Sequence, residues 1–367
     1  PDIEILPEDV AVLQYTGGTT GVLKGCCQTN HAFVAKAMAQ VQYFRPFLND
    51  NDYENYMVII ALGMSHAFGF GQGIVVNLTM GGTIFFAESL DEILKVIEKF
   101  RPTVWPSVPL WMKLIATHEE YQKYDISSLK VITCGSAPLP VDVIKRVEEL
   151  TGAVITEGYG MTETVNTITI NGHDHRKVGT VGVVNPNIEY LIVDQETGTE
   201  IVEDGTPGEI ICRGECVMHE YWNNPEETAK MLRNGWLYTG DIGLIDEEGF
   251  LVICDRKKDL IITGGFNVFP SELEAVAITA PNVADAIAIG VPNERRGEVP
   301  ALFVQPMPGK TIDLAEVEQV CREKLSRFKV PKEYYTMDML PKTKNRKPDR
   351  KAVRKMYLEH AFDDQKK

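Results

Sequence analysis

Apolar and polar positions repeat with two different periods in the first half of the chain, and these periods predict alternating strands and helices. Residues 90–100 repeat apolar side chains at helical spacing and end at the turn Arg101-Pro102, which predicts a helix. The apolar runs at 104–108 and 131–134 predict strands, and the second is followed by a helical pattern at 141–150. This alternation predicts an α/β domain with mainly parallel sheet layers.

The pattern changes twice further along the chain. Between residues 180 and 250, short apolar runs are separated by turns, which predicts a β-rich subdomain. After the charged run at 255–259, capping-box spacing at 271–274 and an amphipathic pattern at 313–328 predict two helices of a new unit. We therefore predict a large domain over residues 1–256, with its β-rich part at about 180–256, and a small α+β C-terminal domain over residues 257–367.

Composition narrows the classes of function. A net charge of −15 argues against a nucleic-acid partner, because binding to a phosphate backbone needs a broad basic surface. The seven cysteines are an odd number without CxxC spacing, which favours a reduced protein and a cytoplasmic location. No apolar run approaches the roughly 20 residues of a spanning helix, so we expect no transmembrane segment.

A glycine-rich loop near the start of the chain carries the strongest chemical signal. Residues 15–25 read YTGGTTGVLKG: the glycines free the backbone to surround an anion, the hydroxyls add donors, and the lysine supplies positive charge. The spacing is not that of a Walker A loop, and an ordinary hairpin turn is the alternative. The predicted phosphate-binding residues are Thr16, Gly17, Thr19, Thr20, Gly21 and Lys24.

This loop resembles the signature YTSGTTGxPKG of the adenylate-forming superfamily, which includes acyl-CoA synthetases, luciferases and the adenylation domains of peptide synthetases. Gly18 stands in place of the serine and Leu23 in place of the proline, whereas the threonines, the outer glycines and Lys24 match. The resemblance implies that the loop clamps the β- and γ-phosphates of ATP and that Lys24 has a catalytic role.

A second match is EGYGMTET at residues 157–164. The resemblance implies that Tyr159 stacks on adenine, that Thr162 binds the α-phosphate and that Glu163 binds Mg²⁺, roles that suit an aromatic ring, a hydroxyl and a hard oxygen ligand. The segment CGSAPL at 134–139 resembles the family's turn against adenine and ribose. The further nucleotide-binding residues implied by both segments are Gly135, Ser136, Ala137, Glu157, Gly158 and Gly160.

Two shorter matches follow in the order found in the family. YTGD at residues 238–241 implies that Asp241 accepts the hydroxyls of the ribose. DRKKD at 255–259 resembles the family's hinge, so Arg256 is expected at the ribose or a phosphate, and Lys258 is expected to be the pivot of a mobile C-terminal domain. Domain rotation is therefore part of the expected mechanism.

Two matches in the C-terminal part concern the second reaction and the charge at the reacting atoms. GGFNVFP at 264–270 resembles the glycine turn that lines the pantetheine tunnel of CoA ligases, which implies that Gly264 and Gly265 lie beside the thiol arm. PKTKNRK at 341–347 is similar to the family's PKTxxGK, with arginine in place of the glycine. The resemblance makes Lys347 the catalytic lysine that neutralises charge on the carboxylate and the α-phosphate.

Histidines give a weaker signal. MSHAFG at 64–69 resembles the family's HxxG element, which implies that His66 borders the acyl pocket, although a packed core histidine is the alternative. His173 and His175 have no partner cluster, so we expect surface residues and not metal ligands. The glycines expected to leave volume for an acyl chain are Gly69, Gly71 and Gly73.

The order of the matches implies an ATP-dependent acid:CoA ligase, that is, an AMP-forming acyl-CoA synthetase that uses ATP, Mg²⁺ and coenzyme A on a small carboxylic acid. In the family a sizeable N-terminal subdomain precedes the phosphate loop, so a truncated chain is expected here. A fatty acid is favoured because of the Phe-Asn-Val form of the tunnel turn and the apolar region 61–76. An aryl acid is the alternative substrate.

Three other functions share the nucleotide motifs. An adenylation domain would load a carrier protein, a luciferase-like ligase would give an oxygen-dependent product, and an inactive fragment would bind nucleotide only. A homodimer is left open.

Overall fold

The computed structural model describes residues 3–17, 23–118, 121–165, 167–343 and 347–365. The chain divides into two units, of which the first comprises Pro1–Thr239 and Leu244–Ile253 and the second comprises Gly240–Gly243 and Cys254–Lys367. These units are defined by contacts, whereas the sequence predicted a boundary between two domains at residue 257. That boundary stays a prediction.

The first unit alternates strands with helices over most of its length. In chain order its elements are β1 (Val10–Gly17), β2 (Leu23–Thr29), α1 (Asn30–Phe44), α2 (Asp50–Glu54), β3 (Met57–Ile60), α3 (Val76–Thr79), β4 (Thr83–Phe86), α4 (Leu90–Phe100), β5 (Val104–Ser107), α5 (Pro109–Thr117), β6 (Val131–Cys134), α6 (Val141–Thr151), β7 (Val154–Tyr159), β8 (Thr169–Ile170), β9 (Val183–Val184), β10 (Ile188–Val193), β11 (Gly208–Gly214), β12 (Glu220–Tyr221), α7 (Pro225–Met231), β13 (Leu232–Arg233), and the strands β14 (Trp236–Ile245) and β15 (Leu251–Arg256), within which the chain passes to the second unit.

The sheets of the first unit are mixed. One sheet has the order β4-β3-β5-β6-β7-β8-β9, in which β3 to β7 pair in parallel and β8 and β9 are added antiparallel. A second sheet, β1-β2-β12, is antiparallel, and a third has the order β10-β11-β14-β13 with β15 on β14. The prediction of mainly parallel layers therefore holds only for part of one sheet, since antiparallel pairs form both between chain neighbours, such as β1 and β2, and between distant strands, such as β2 and β12.

The main core of this unit lies between the parallel strands and the helices that follow them. The predicted helix at residues 90–100 is α4, and the buried face of α4 carries Ile93, Leu94 and Ile97. These side chains pack in one cluster with Trp105 of β5 and Ile144 of α6. Burial of each such side chain contributes about 1.5–3 kcal/mol, so the helical spacing of apolar residues explains why the helix docks on the sheet.

A π-helix at Phe68–Val75 follows β3 and runs into α3. Its first glycine allows a close backbone approach, because a Cβ atom at Gly69 would lie 2.3 Å from the carbonyl oxygen of Gly63. A Cβ atom at Gly73 would lie 3.0 Å from Ile60. At these two positions the space is filled by protein atoms, so the expectation that they leave volume for an acyl chain is wrong.

The second unit is an α+β arrangement around one sheet. Its remaining elements are β16 (Ile261–Thr263), β17 (Phe266–Val268), α8 (Pro270–Ala277), β18 (Val283–Asn293), β19 (Gly297–Pro306), α9 (Leu314–Lys324), β20 (Glu333–Thr336) and α10 (Arg350–Leu358). The sheet order is β17-β16-β19-β18, with β20 parallel to β19. Successive residues of β18 enter different clusters: Ala288 joins the one that includes Val317 of α9, and Ile289 joins the one that includes Val353 of α10.

The start of α8 differs from the prediction. The capping-box spacing placed the helix start at Ser271, but α8 begins at Pro270, and its N-cap residue Phe269 makes no side-chain hydrogen bond. Asp255 instead accepts from the backbone N–H of Ser271 at 2.8 Å, and the Ser271 hydroxyl donates to Cys254. A carboxylate from an earlier strand thus replaces the local cap.

Membrane insertion through a helix has no support in the described ranges, where no helix has both the length and the apolar character needed to cross a bilayer.

Candidate active site

The two strands that flank the phosphate loop pair with each other. Thr16 of β1 lies opposite Lys24 of β2, and Gly17 lies opposite Leu23, so the loop joins the ends of an antiparallel pair. Thr16 and Lys24 are thereby held on a regular backbone. The other predicted loop residues, Thr19, Thr20 and Gly21, lie outside the described residues.

Lys24 is held by an acidic and an aromatic side chain. Its Nζ lies 2.5 Å from Oε2 of Glu227, which belongs to α7, and 5.1 Å from the ring centroid of Tyr221 in β12. The Lys24 side chain is 13% exposed, so the ion pair is mostly withdrawn from water. Hydrogen bonds from Lys230 and then Lys24 lower the pKa of Glu227 to about 2, which keeps this carboxylate charged.

Glu163 is buried next to Tyr221, on the side of its hydroxyl. The Tyr221 hydroxyl donates to its Oε1 at 2.5 Å, and its backbone carbonyl accepts from Met218 at 2.7 Å. Burial, and then the charge of Glu163, raise the pKa of Tyr221, so the hydroxyl remains a donor. Next to it, the carbonyl of Thr162 accepts from Gln28 of β2 at 2.6 Å. Tyr221 of β12 thus links Glu163 to the lysine, and Gln28 of β2 holds the backbone beside Glu163.

The ends of β6 and β7 bring the other nucleotide candidates together. Because these strands are parallel and Cys134 pairs with Glu157, the turn after β6 lies beside the end of β7. Within this turn Ser136 has a positive φ of 73°, and the Leu139 N–H donates to Glu157 at 3.3 Å. Burial raises the pKa of Glu157, although the backbone amides of Leu139 and Gly179 oppose the shift. Gly135, Ala137 and Gly160 lie in the connections beside these strands.

The glycine at position 158 has a structural reason of its own. It pairs with Ile170 of β8, and a Cβ atom there would lie 3.0 Å from the carbonyl oxygen of Thr169. Tyr159, which follows it, is half-buried and packs against two clusters of the unit.

His66 lies at the turn before the π-helix. Its Nδ1 accepts from the backbone N–H of Phe68 at 3.2 Å, so the imidazole helps to start this helix. The ring of Phe68 lies 3.6 Å from where a Cβ atom at Gly135 would be. The π-helix therefore approaches the turn after β6.

In the second unit, four of the predicted residues influence one another electrostatically. Nε of Arg256 lies 3.1 Å from Oδ1 of Asp241, which is buried. Burial lowers the pKa of Lys347, the charge of Arg256 lowers it further, and Asp241 opposes the shift. Burial likewise lowers the pKa of Lys258, against the influence of Asp259. The structure thus brings Asp241, Arg256, Lys258 and Lys347 into one charged group.

Lys347 is hydrogen-bonded to Thr343 just before α10. The N–H of Thr343 donates to the Lys347 carbonyl at 2.8 Å, and the Lys347 N–H donates to the Thr343 hydroxyl at 3.2 Å. The helix then begins at Arg350, whose Nη2 lies 2.8 and 2.7 Å from the carboxylate oxygens of Glu274. Burial raises the pKa of Glu274 to about 7 in spite of this partner.

Gly264 and Gly265 connect β16 to β17 in a two-residue turn. Both have positive φ, 59° and 84°, as a type I′ turn requires. The N–H of Gly264 donates to the carbonyl of Arg296 at 2.9 Å. Among the described residues, no atom lies within 4 Å of where a Cβ atom at Gly265 would be, so the local need for this glycine is its backbone conformation.

Two family patterns match parts of this chain. The pattern of the AMP-binding enzyme matches residues 1–222, and that of the AMP-binding enzyme C-terminal domain matches residues 272–347. The chain belongs to the AMP-binding enzyme family. This confirms the membership inferred from the loop and from the EGYGMTET segment.

Relatives of this AMP-binding enzyme include CoA ligases. A long-chain-fatty-acid–CoA ligase from Bacillus subtilis (strain 168) is 38% identical over 344 residues, which cover 93% of this chain and 60% of that protein. The structure of ATP-bound MatB from Rhodopseudomonas palustris is 34% identical with a TM-score of 0.87, and the match covers 97% of this chain and 69% of that one. O-succinylbenzoate CoA synthetase (MenE) from Bacillus subtilis, in complex with ATP and magnesium ion, is 28% identical with a TM-score of 0.84, over 96% and 72% of the chains. The chain spans about three-fifths of the length of the curated relatives that it matches first.

Sequence reasoning missed the residues that hold Lys24 and Glu163 in this AMP-binding enzyme. Tyr221 and Glu227 belong to no motif recognised above, and they reach the site only because β12 pairs with β2. His173 and His175, which were expected at the surface, are exposed and pack on aromatic rings, His173 on Phe47 and His175 on Phe250. Over the part of the chain that the structure describes, no group of three or more His, Cys, Asp or Glu side chains is arranged for a metal.

Proposed function

We propose that this AMP-binding enzyme is an ATP-dependent acid:CoA ligase, which forms acyl-AMP and pyrophosphate from a carboxylic acid and then acyl-CoA and AMP. The observation that carries the proposal is the link from Lys24 through Tyr221 to Glu163. A cation suited to phosphate oxygens thus lies near a buried carboxylate suited to Mg²⁺, which are the two partners that Mg-ATP needs.

In this proposal, residues of the first unit bind different parts of the nucleotide. Thr16, Gly17 and Lys24 bind the β- and γ-phosphates together with Thr19, Thr20 and Gly21. Thr162 binds the α-phosphate. Tyr159 stacks on one face of adenine. The backbone of residues 135–137 and of residues 157, 158 and 160 lines the nucleotide. Glu163 fits a magnesium ligand because a hard oxygen donor is already oriented there by the Tyr221 hydroxyl. When bound, the ion neutralises charge on the phosphates.

The residues of the second unit carry the remaining roles. Asp241 accepts the ribose hydroxyls, and Arg256, which pairs with this carboxylate, contacts the ribose or a phosphate. Lys347 neutralises charge on the carboxylate and the α-phosphate during adenylation. We further propose that the C-terminal domain is mobile about Lys258 and that Gly264 and Gly265 then line the path of the CoA thiol, so that one bound acyl-AMP is used in both reactions.

A fatty acid is the proposed substrate, with an aryl acid as the second candidate. The Bacillus subtilis fatty-acid ligase supports the first and the o-succinylbenzoate synthetase supports the second. His66 would border the acyl group beside Phe68. The packing at Gly69 and Gly73 removes part of the earlier argument for an acyl cavity, so the substrate class rests on the relatives and on the apolar segment 61–76.

Pyrophosphate exchange tests the adenylation step. Labelled pyrophosphate should enter ATP only when a fatty or an aromatic acid is added, and Lys347→Ala should abolish most of this exchange, whereas Lys351→Ala on the exposed side of α10 should retain it. Lack of exchange with every acid, despite ATP binding, would favour an inactive nucleotide-binding module.

Release of AMP tests the second step. With the preferred acid, free CoA should stimulate AMP release and yield acyl-CoA. Transfer to a phosphopantetheine-bearing carrier protein, without a response to free CoA, would support the carrier-loading alternative.

A further inference from the structure

We propose that Glu227 is a positioning residue that holds Lys24 as an internal counter-ion and yields it to the polyphosphate of the nucleotide. The inference rests on the proposed function, because it takes Lys24 to be a phosphate ligand. It adds a competitor to that site: a carboxylate of the chain itself occupies the lysine before the phosphates do.

The geometry supports an exchange of partners at one ammonium group. Glu227 Oε2 lies 2.5 Å from Lys24 Nζ, so the carboxylate already occupies a position on the ammonium group that a phosphate oxygen could take. The ammonium group has three N–H donors, but a carboxylate and a phosphate held on it side by side repel each other as like charges, so Glu227 weakens phosphate binding at Lys24. The Tyr221 ring, 5.1 Å from the ammonium, contacts Lys24 without using these hydrogens.

The second carboxylate oxygen of Glu227 has its own cationic partner, so the pair between Glu227 and Lys24 can separate without leaving Glu227 unpaired. Lys230 Nζ lies 2.5 Å from Oε1, on the other side of the carboxylate, and the Lys230 side chain is 65% exposed. When Lys24 turns to a phosphate, Glu227 therefore keeps one cationic partner. An isolated buried pair would lose this compensation, because breaking it leaves one ion unpaired.

This arrangement predicts opposite effects for substitution of Glu227 and for substitution of Lys230, the second cation on that carboxylate. Glu227→Gln removes the competing charge, so Mg-ATP should bind about three- to fivefold more tightly and the KM for ATP should fall. Lys230→Met removes the second cation from Glu227, which strengthens the pair between Glu227 and Lys24, so Mg-ATP should bind more weakly. Damage to the fold would weaken binding in both variants, and Glu227→Asp should restore a value near that of the wild type.

Calorimetric titration with Mg-ATP and with magnesium tripolyphosphate measures these affinities directly. Wild type, the three variants above and the control Glu226→Gln, an exposed neighbour in α7, would be compared with their melting temperatures. Tighter binding of both probes by Glu227→Gln alone, together with weaker binding by Lys230→Met, is the expected result. Equal or weaker binding by a folded Glu227→Gln variant would overturn the inference.

A parallel assay separates this inference from the proposed function. Acid-dependent pyrophosphate exchange by the wild type reports on adenylation, whereas the titrations report only on phosphate binding. If the wild type shows no exchange but the variants still differ in their affinity for the phosphate probes, the ligase proposal is rejected and the proposal that Glu227 is the counter-ion of Lys24 stands. If the wild type binds neither Mg-ATP nor tripolyphosphate, both proposals fail.

Discussion

Lys36 places an ammonium group in the interior of the first unit. Its Nζ donates to the carbonyl of Thr167 at 3.0 Å, and the side chain of Asn185 donates to the same oxygen at 3.0 Å. Burial lowers the pKa of Lys36 from 10.5 to about 7, which the nearby Cys216 opposes. The folded chain therefore binds a proton at this site less readily than the unfolded chain does.

Lys36→Met should stabilise the first unit in a pH-dependent way. At pH 6 Lys36 is charged in both the folded and the unfolded wild type, so the full cost of burying the charge applies. We therefore expect the free energy of unfolding of the variant to be about 1–4 kcal/mol higher than that of the wild type. From pH 7 towards pH 10.5 the folded lysine is neutral while the unfolded lysine still holds its proton, so the cost of burying Lys36 falls as the pH rises and the difference should shrink. Denaturant unfolding at pH 6 and pH 9, with the exposed Lys113→Met as control, measures it; a difference that is constant with pH would contradict the prediction.

Arg350 is the principal charged partner of Glu274 in the second unit, and it begins the helix that follows Lys347. At pH 8, where Glu274 is mostly charged, Arg350→Met should lower the free energy of unfolding of this unit by about 3 kcal/mol, because a buried carboxylate loses its cation; at pH 5, where Glu274 takes up a proton, the loss should be smaller. Arg354→Met, one turn later and beside the more exposed Glu298, should cost far less. Chemical denaturation of the two variants makes the comparison, and equal losses would argue that Glu274 does not depend on Arg350.

The β16–β17 hairpin shows at the level of an element why glycine recurs at two adjacent positions. Both central residues adopt positive φ, which L side chains avoid. Gly265 has open space around its Cβ direction, so a substitution there isolates the backbone cost from any clash.

Gly265→Ala should lower the free energy of unfolding of the second unit by about 1–2 kcal/mol, whereas Gly265→Asn should cost less because asparagine tolerates the left-handed conformation. Thermal or urea unfolding of both variants provides the measurement. If alanine and asparagine had the same small effect, the turn would have to relax into another conformation.

At the scale of the whole molecule, the second unit contains a complete sheet and two hydrophobic clusters of its own. The sequence predicted a domain start at residue 257, but Cys254 and Asp255 bind the first turn of α8 through Ser271. These contacts belong to the second unit and precede the predicted boundary.

A fragment of residues 254–367 should therefore fold cooperatively and be about 1 kcal/mol more stable than one of residues 257–367, since only the longer one keeps the carboxylate cap. Circular dichroism during urea unfolding compares the two, and Asp255→Ala in the longer fragment should remove the advantage. Non-cooperative unfolding of both fragments would show that the C-terminal part is not an independent domain.

Much of the secondary structure could be predicted, since α4, β6 and α6 follow directly from periodicity. Such elements depend on neighbours in the chain, and their apolar faces are visible in the sequence. The start of α8 could not be predicted, because its cap comes from a residue 16 positions earlier. The mixed pairing of the sheets was likewise missed, because strand direction depends on partners that are distant in sequence.

The sequence by itself determined the family of this protein and the identity of the residues that resemble its nucleotide motifs, because those motifs are short and contiguous. Only the tertiary structure decided what surrounds them. Tyr221 and Glu227 reach Lys24 and Glu163 across some 60 to 200 positions of the chain through the pairing of β12 with β2. A contact formed by strand pairing leaves no local pattern in the sequence, and this is the physical reason why the partners of the phosphate lysine became visible only in the fold.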